Sequence, residues 1–306
     1  MDDAVAAIYR RLAEHLDTLP DGFPPTSTRV ELRVLQHLFT PEEASLAVHL
    51  TLAREEAAGI AARAELPATE VKERLSTMAK KGLILSVEQE GEEALYQAVP
   101  FVIGIFEFQV NDLTPEFLVD LAEYAGAAAP WPRVKSIPQL RTVPVSVTLD
   151  AKNEALPYEK AEELVNAHDR FAVANCLCRT IAGMGGTVCD APLETCLFFG
   201  DWADFYINTG RGRAIERDEV LDILTRANES DLVLQSSNTK EAVVICCCCG
   251  CCCTVLTPLK QLPEPAAEVS SAYAAEYHRS TCIGCHKCVE RCQMDAISPD
   301  GERIAL

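Results

Sequence analysis

Seven of the eight residues from Cys246 to Cys253 are cysteine, interrupted only by Gly250. Thiols at this density suit few kinds of chemistry. Neighbouring Cα atoms sit ~3.8 Å apart, whereas a disulfide wants ~4.4–6.8 Å, so the run is badly placed to staple itself. Left bare, it would crowd oxidisable and mutually repelling groups together. Soft thiolates in bulk suit iron–sulfur clusters, zinc or cuprous copper, and a redox-active thiol store is the other reading. Adjacent side chains on an extended stretch point to opposite sides. Cys246, Cys247, Cys248, Cys249, Cys251, Cys252 and Cys253 are therefore not expected to surround one cube. The run is expected to lie between two clusters and feed both, or to hold one unusual cluster of its own.

A second pattern closes the sequence: Cys282-x2-Cys285-x2-Cys288-x3-Cys292. This is the spacing of a bacterial ferredoxin, in which three cysteines wrap a [4Fe–4S] cube and the fourth serves a neighbouring one. Gly284 permits close backbone approach, and Gln293 stands where a proline usually follows the fourth cysteine. If the two-cluster rule holds, Cys292 completes a cluster built on the run, with Cys246, Cys249 and Cys252 as partners at matching spacing. Cys253 is then a candidate fourth ligand for Cys282, Cys285 and Cys288; other choices within the run stay open. The alternative is a self-contained four-cysteine cluster. A third group, Cys176, Cys178, Cys189 and Cys196, makes a full set for one more cube. Arg179 beside it can hydrogen-bond a cluster sulfur or a carbonyl. Phe198, Phe199, Trp202, Phe205 and Tyr206 follow and read as core that shields a cluster from water. Two or three [4Fe–4S] clusters are expected in all.

These residues need a scaffold, and the chain of 306 residues is long enough for two or three domains. All fifteen cysteines lie at or after Cys176, so the metal chemistry belongs to the second half. The acidic start lacks a basic-then-apolar leader, and no apolar run approaches the ~20 residues of a membrane helix. A cytoplasmic setting is expected, where fifteen thiols mean metal rather than disulfides. A net charge of −19 disfavours nucleic acid and anionic membrane as partners and favours a protein with a basic docking patch.

Helical spacing marks residues 1–19, and Thr40-Pro41-Glu42-Glu43 opens a helix with a capping box. Further helices are expected over 54–64 and from about 68 to Lys81, with Gly82 as the stop. Strand-like runs over 83–87 and 95–99 follow, joined near Gly91. Helix, turn, helix and hairpin in this order resemble a winged-helix domain. Such domains often bind DNA, and Lys72, Arg74, Lys80 and Lys81 are the bases that would serve. Residues 1–112 hold 19 acids against 10 bases, however, and the wing carries Glu88, Glu90, Glu92 and Glu93. A docking or homodimerisation module is the preferred reading. Helices are expected over 114–125, stopped by Gly126, then over 158–169 and 217–227. Pro130 to Pro144 reads as a proline-punctuated connection, and Val243-Val244-Ile245 as a short buried strand leading into the cysteine run.

Residues 170–306 resemble the 4Fe–4S ferredoxin, or 4Fe–4S binding protein, family of anaerobes. The resemblance rests on Cys176-x-Cys178-Arg179, Cys189, Cys196, the Cys248-Cys249-Gly250-Cys251-Cys252 core and the terminal run; Cys247 is an extra thiol. It implies electron transfer to or from a larger redox protein. The expected fold class is α+β. A winged-helix-like domain (1–112) is followed by an iron–sulfur domain (113–240), then the cysteine run with a ferredoxin-like end (241–306). Two other functions fit the same residues. One is a redox-sensing winged-helix regulator. The other is an enzyme that works at an open or non-cubane cluster.

Overall fold

The computed structural model describes residues 3–128, 138–144, 160–239, 241–301 and 303–305. The chain is α+β and divides into two compact units, Met1–Gln139 with Asp204–Gly212, and Leu140–Ala203 with Arg213–Leu306. Val233–Ser237 and Val244–Cys248 pair as strands of one sheet within the second unit.

The first unit begins with α1 (Asp3–Asp17), α2 (Val30–Leu38) and α3 (Pro41–Ala47). The capping box is formed: Glu43 N–H donates to Thr40 Oγ1, and Thr40 N–H donates to Glu43 Oε2. Next come β1 (Glu55–Glu56), α4 (Ala57–Ala64), α5 (Ala68–Lys80), β2 (Leu85–Val87) and β3 (Leu95–Gln97). The helix expected over 54–64 thus starts at Ala57. Glu55 and Glu56 instead pair with β3, giving the sheet order β1-β3-β2. Val71, Leu75, Met78 and Ala79 form the buried face of α5, as their spacing predicts. Gly82, with φ +73°, follows that helix. A last helix, α6 (Pro115–Ala127), runs straight through Gly126, which has no positive φ to end it.

The second unit is built on a six-stranded antiparallel sheet. Its parts are β4 (Leu140–Thr142), α7 (Ala161–Asn166), β5 (Phe171–Asn175), α8 (Leu177–Met184), β6 (Glu194–Phe199), β7 (Arg213–Ile215), α10 (Arg217–Glu229), β8 (Val233–Ser237) and β9 (Val244–Cys248); between β6 and β7 runs α9 (Asp201–Asn208), whose residues from Asp204 on belong to the first unit. The order is β4-β8-β9-β6-β5-β7. Of the helix expected over 158–169, residues 158 and 159 lie outside the described residues, as do Pro130 and Pro132 of the expected connection.

Strand alternation sorts the side chains. Phe171, Val173, Leu197, Phe199, Ile245, Cys247 and Leu234 share one core with Leu164 and Val165 of α7 and Val220, Ile223 and Leu224 of α10. Cys248 belongs to a separate core with Cys253, Leu256 and Leu259, against which Cys246 packs. Leu256 and Leu259 come from α11 (Leu256–Leu259). The chain closes with α12 (Lys287–Arg291), β10 (Ser298–Asp300) and β11 (Arg303–Ala305). Among the described residues no helix is long and apolar enough to cross a membrane.

Candidate metal centre

The expected buried strand before the cysteine run exists, but it does not stop at Ile245. It continues through Cys248 at the middle of the sheet, with Cys246 opposite Cys196 on β6 and opposite Gln235 on β8. Past Cys248 the chain turns back, and Cys253 N–H donates to the Cys249 carbonyl. Strand and turn together divide the run between two sites.

The first site is a closed ring of six sulfurs. Cys176 meets Cys178 and Cys196, Cys196 meets Cys246, and Cys246 meets Cys248. Cys248 meets Cys253, which meets Cys178 and closes the ring. Cys196 and Cys246 are cross-strand partners, and Cys248 lies two residues further along the same face. Cys176 and Cys178 flank the first residue of α8, a helix hidden in the sequence behind Gly183, Gly185 and Gly186. Hydrogen bonds from Cys176 and Cys246 hold Cys196 down at about 6. Bonds from Cys246 and Cys253 hold Cys248 well below the ordinary thiol range. The contact with Cys176 pushes Cys178 up to about 12. Cys196 and Cys248 are thus the ring members held toward the thiolate form that ligates metal. Around it, Gln235 Nε2 lies 3.9 Å from Cys253 Sγ, Thr254 Oγ1 lies 3.4 Å from Cys178 Sγ, and Leu256 N–H donates to Cys253 Sγ.

The second site gathers Cys189, Cys249, Cys251 and Cys252, whose sulfurs all lie within 4.8 Å of one another. Cys189 therefore parts company with Cys176, Cys178 and Cys196, the set to which its position in the sequence assigned it. Cys246 likewise parts from Cys249 and Cys252, because β9 carries the one and the turn carries the others. Cys247 joins neither group; its side chain faces the core beneath the sheet.

Arg179 stands between the two sites. It is 5% exposed, and its guanidinium donates to the Pro192 carbonyl, to Thr195 Oγ1 and to the Cys247 carbonyl at 2.8, 2.5 and 2.7 Å. It also bonds the Cys249 sulfur, and its charge holds that thiol down against the opposing cost of burial. Of the two uses foreseen for Arg179, the bond to a carbonyl is present. Thr195 and Gln235, two buried polar residues on strands, were not singled out in the sequence; a polar side chain at a core position of a strand was the available signal. Phe198, Phe199, Trp202, Phe205 and Tyr206 are all buried.

The third group is the terminal run, which is partly exposed. Gly284 (φ +68°) and His286 (φ +56°) take the left-handed turns that curl its backbone. The Gly284 amide donates to the Cys282 sulfur, and the Tyr277 hydroxyl, lying against that sulfur, is the main cause of its lowered pKa. A cysteine loop curled through left-handed turns, with the Gly284 amide on a ligand sulfur, fits a [4Fe–4S] group. α12 separates Cys288 from Cys292, whose sulfur accepts the Ala296 N–H at 3.3 Å. Cys292 takes part in neither group of the run. Its neighbour Gln293 does reach the run: Gly250 N–H donates to Gln293 Oε1 at 2.7 Å, and Lys260 Nζ pairs with Asp295 at 2.7 Å. A proline after Cys292 has no side-chain acceptor for that amide.

Residues 275–298 match the 4Fe-4S binding domain. The match and the clustered cysteines support an iron–sulfur protein. No curated protein and no solved structure matches the chain.

Proposed function

We propose that this iron–sulfur protein is a multi-cluster electron carrier working in the cytoplasm with a larger redox protein. The observation that carries the reading is the six-sulfur ring beside a separate 4Fe-4S binding domain, joined through Gly250 and Gln293. When bound, [4Fe–4S] groups supply reversible one-electron transfer. Cys282, Cys285 and Cys288, with Cys292 or a thiol of the run, would hold one. Cys176, Cys178, Cys196, Cys246, Cys248 and Cys253 offer more thiols than a single cube uses and suit a cube or a larger, unusual cluster. Arg179 places a fixed positive charge beside these ligands, which favours the reduced, more negative state. Exposed Met184, Val188 and Leu193 flank Cys189, and exposed Ile283 lies within the terminal run. With a net charge of −19, these exposed apolar residues suit a basic partner that carries some apolar area.

The order of helices and hairpin in the first unit supports a winged-helix-like docking or dimerisation module. A DNA-binding regulator is the second reading, and the side chains argue against it. Lys72 pairs with Glu93, Arg74 with Glu70 and Lys81 with Glu43, so three of the four candidate bases already face acids.

The test is iron and sulfide analysis with electron paramagnetic resonance on anaerobically purified protein. About eight or more irons per chain are expected, with two reducible signals that exchange electrons with a viologen. Cys196→Ser should remove one signal and Cys285→Ser the other. A single signal abolished by Cys285→Ser alone would sink the multi-cluster reading. Specific, cluster-dependent DNA binding would replace the carrier with a regulator.

A further inference from the structure

The tetrathiol group of Cys189, Cys249, Cys251 and Cys252 is spaced differently from a cluster site. Cys189 Sγ lies 3.8 Å from Cys249 Sγ and 3.6 Å from Cys251 Sγ, and Cys251 Sγ lies 3.6 Å from Cys252 Sγ. A single tetrahedral ion with metal–sulfur bonds of ~2.3 Å sets its ligands ~3.8 Å apart, the edge of that tetrahedron. A cube distributes its four thiolates around a four-iron body and spreads them more widely. From this spacing we infer that Cys189, Cys249, Cys251 and Cys252 bind one mononuclear divalent ion, zinc or iron(II), with no inorganic sulfide.

The surroundings fit such a site. Three ligands come from one turn, Cys249-Gly250-Cys251-Cys252, and the fourth comes from sixty positions upstream, so the ion would clip the loop after α8 to the end of β9. The Cys252 amide and the Arg179 guanidinium both bond the Cys249 sulfur, the outer contacts that fix a thiolate ligand. Four thiolates around a divalent ion leave two negative charges, and Arg179 offsets one of them. Cys249 and Cys252 are buried, while Cys251 is exposed and leaves a way in for the ion. Binding displaces the thiol protons to solvent, with no oxidant or reductant needed.

The site shares no ligand with the ring or with the terminal run, so it can be tested apart from electron transfer. Full-length protein is purified anaerobically, and metals and acid-labile sulfide are both measured. Wild type should hold about one equivalent of zinc, or of iron in excess of sulfide. Cys189→Ser should lose that equivalent with sulfide unchanged, and Cys285→Ser should lose iron and sulfide yet keep the ion. If Cys189→Ser does not fold, Cys251→Ser at the exposed position gives the same comparison. A cobalt(II)-loaded sample offers a second readout, with intense sulfur-to-metal absorption in wild type and a marked loss in either variant. Iron and sulfide falling together in Cys189→Ser would overturn the inference, because the four cysteines would then hold a cluster. Unchanged metal content in that variant would overturn it as well.

Discussion

Gly250→Ala is the sharpest perturbation available, because the substituted atom has nowhere to go. Gly250 does not have positive φ, so the need for glycine there is steric. A Cβ on this residue would overlap the Gln293 carbonyl oxygen, and it would sit 2.9 Å from the carbonyl carbon and 2.8 Å from Lys260 Nζ. Carbon atoms pack at ~3.5 Å or more, so the Gln293 backbone must retreat by about 0.6 Å to clear the carbon alone. Lys260 can swing aside; the backbone cannot move without stretching the Gly250 N–H to Gln293 Oε1 bond. Overpacking of this kind costs about 1–3 kcal/mol. The hydrogen bond adds about 1 kcal/mol. The exposed Lys260–Asp295 pair adds less than about 1 kcal/mol. At the low end of that range, about 2 kcal/mol, local opening of the terminal run rises roughly 30-fold. Limited proteolysis under anaerobic conditions reads this directly as faster cleavage between residues 262 and 281. The terminal cluster's signal should broaden or fall while the ring's signal stays. An alanine variant cleaved at the wild-type rate would refute the steric argument.

Four other perturbations have defined outcomes. Gln293→Pro, which installs the residue more usual after a fourth cluster cysteine, should destabilise docking of the terminal run by about 1 kcal/mol without loss of iron; a drop in iron content would show that Gln293 does more than accept one N–H. Arg179→Lys should lower the melting temperature measurably, since one ammonium cannot replace the forked contacts to Pro192, Thr195 and Cys247; an unchanged melt would mean that these contacts are dispensable. Arg179→Gln removes the charge and should make the reduced state of the neighbouring cluster harder to reach, read as a more negative midpoint in a redox titration. Thr40→Ala breaks the capping box and should cost the first unit about 1 kcal/mol in chemical denaturation, with metal content untouched; loss of metal would contradict the assignment of all cluster chemistry to the second unit.

Much of the scaffold was legible wherever a local rule sets the structure. The Thr40–Glu43 box, the apolar face of α5 and the strand leading into the cysteines follow from contacts within a few residues. The second helix has the apolar spacing of Val30, Val34, Leu35 and Leu38 but no start signal, because Arg29 caps it in a left-handed conformation with no side-chain hydrogen bond. The two-residue β1 exists only because β3 is there to pair with it. The choice of the cysteines as a set was legible, while their division was not. Spacing assigns Cys189 to its sequence neighbours, but sheet register decides the matter by placing Cys246 across from Cys196. Alternation along an extended run, which separates Cys247 from Cys246 and Cys248, was the one part of that division that a periodicity argument could reach.

Cys248 and Cys249 share a peptide bond yet belong to different thiol groups, one in the ring and one in the tetrathiol site. That adjacency bears on how the protein matures. A ligand fixed on one side of a peptide bond holds the next residue at high effective concentration for its own site. Loading of either site removes the conformational freedom that the other must otherwise overcome, so the second metal binds to a chain already in place. Filling one site should therefore speed the filling of the other during maturation, while each site keeps its own ligands and still loads in a variant that lacks the other.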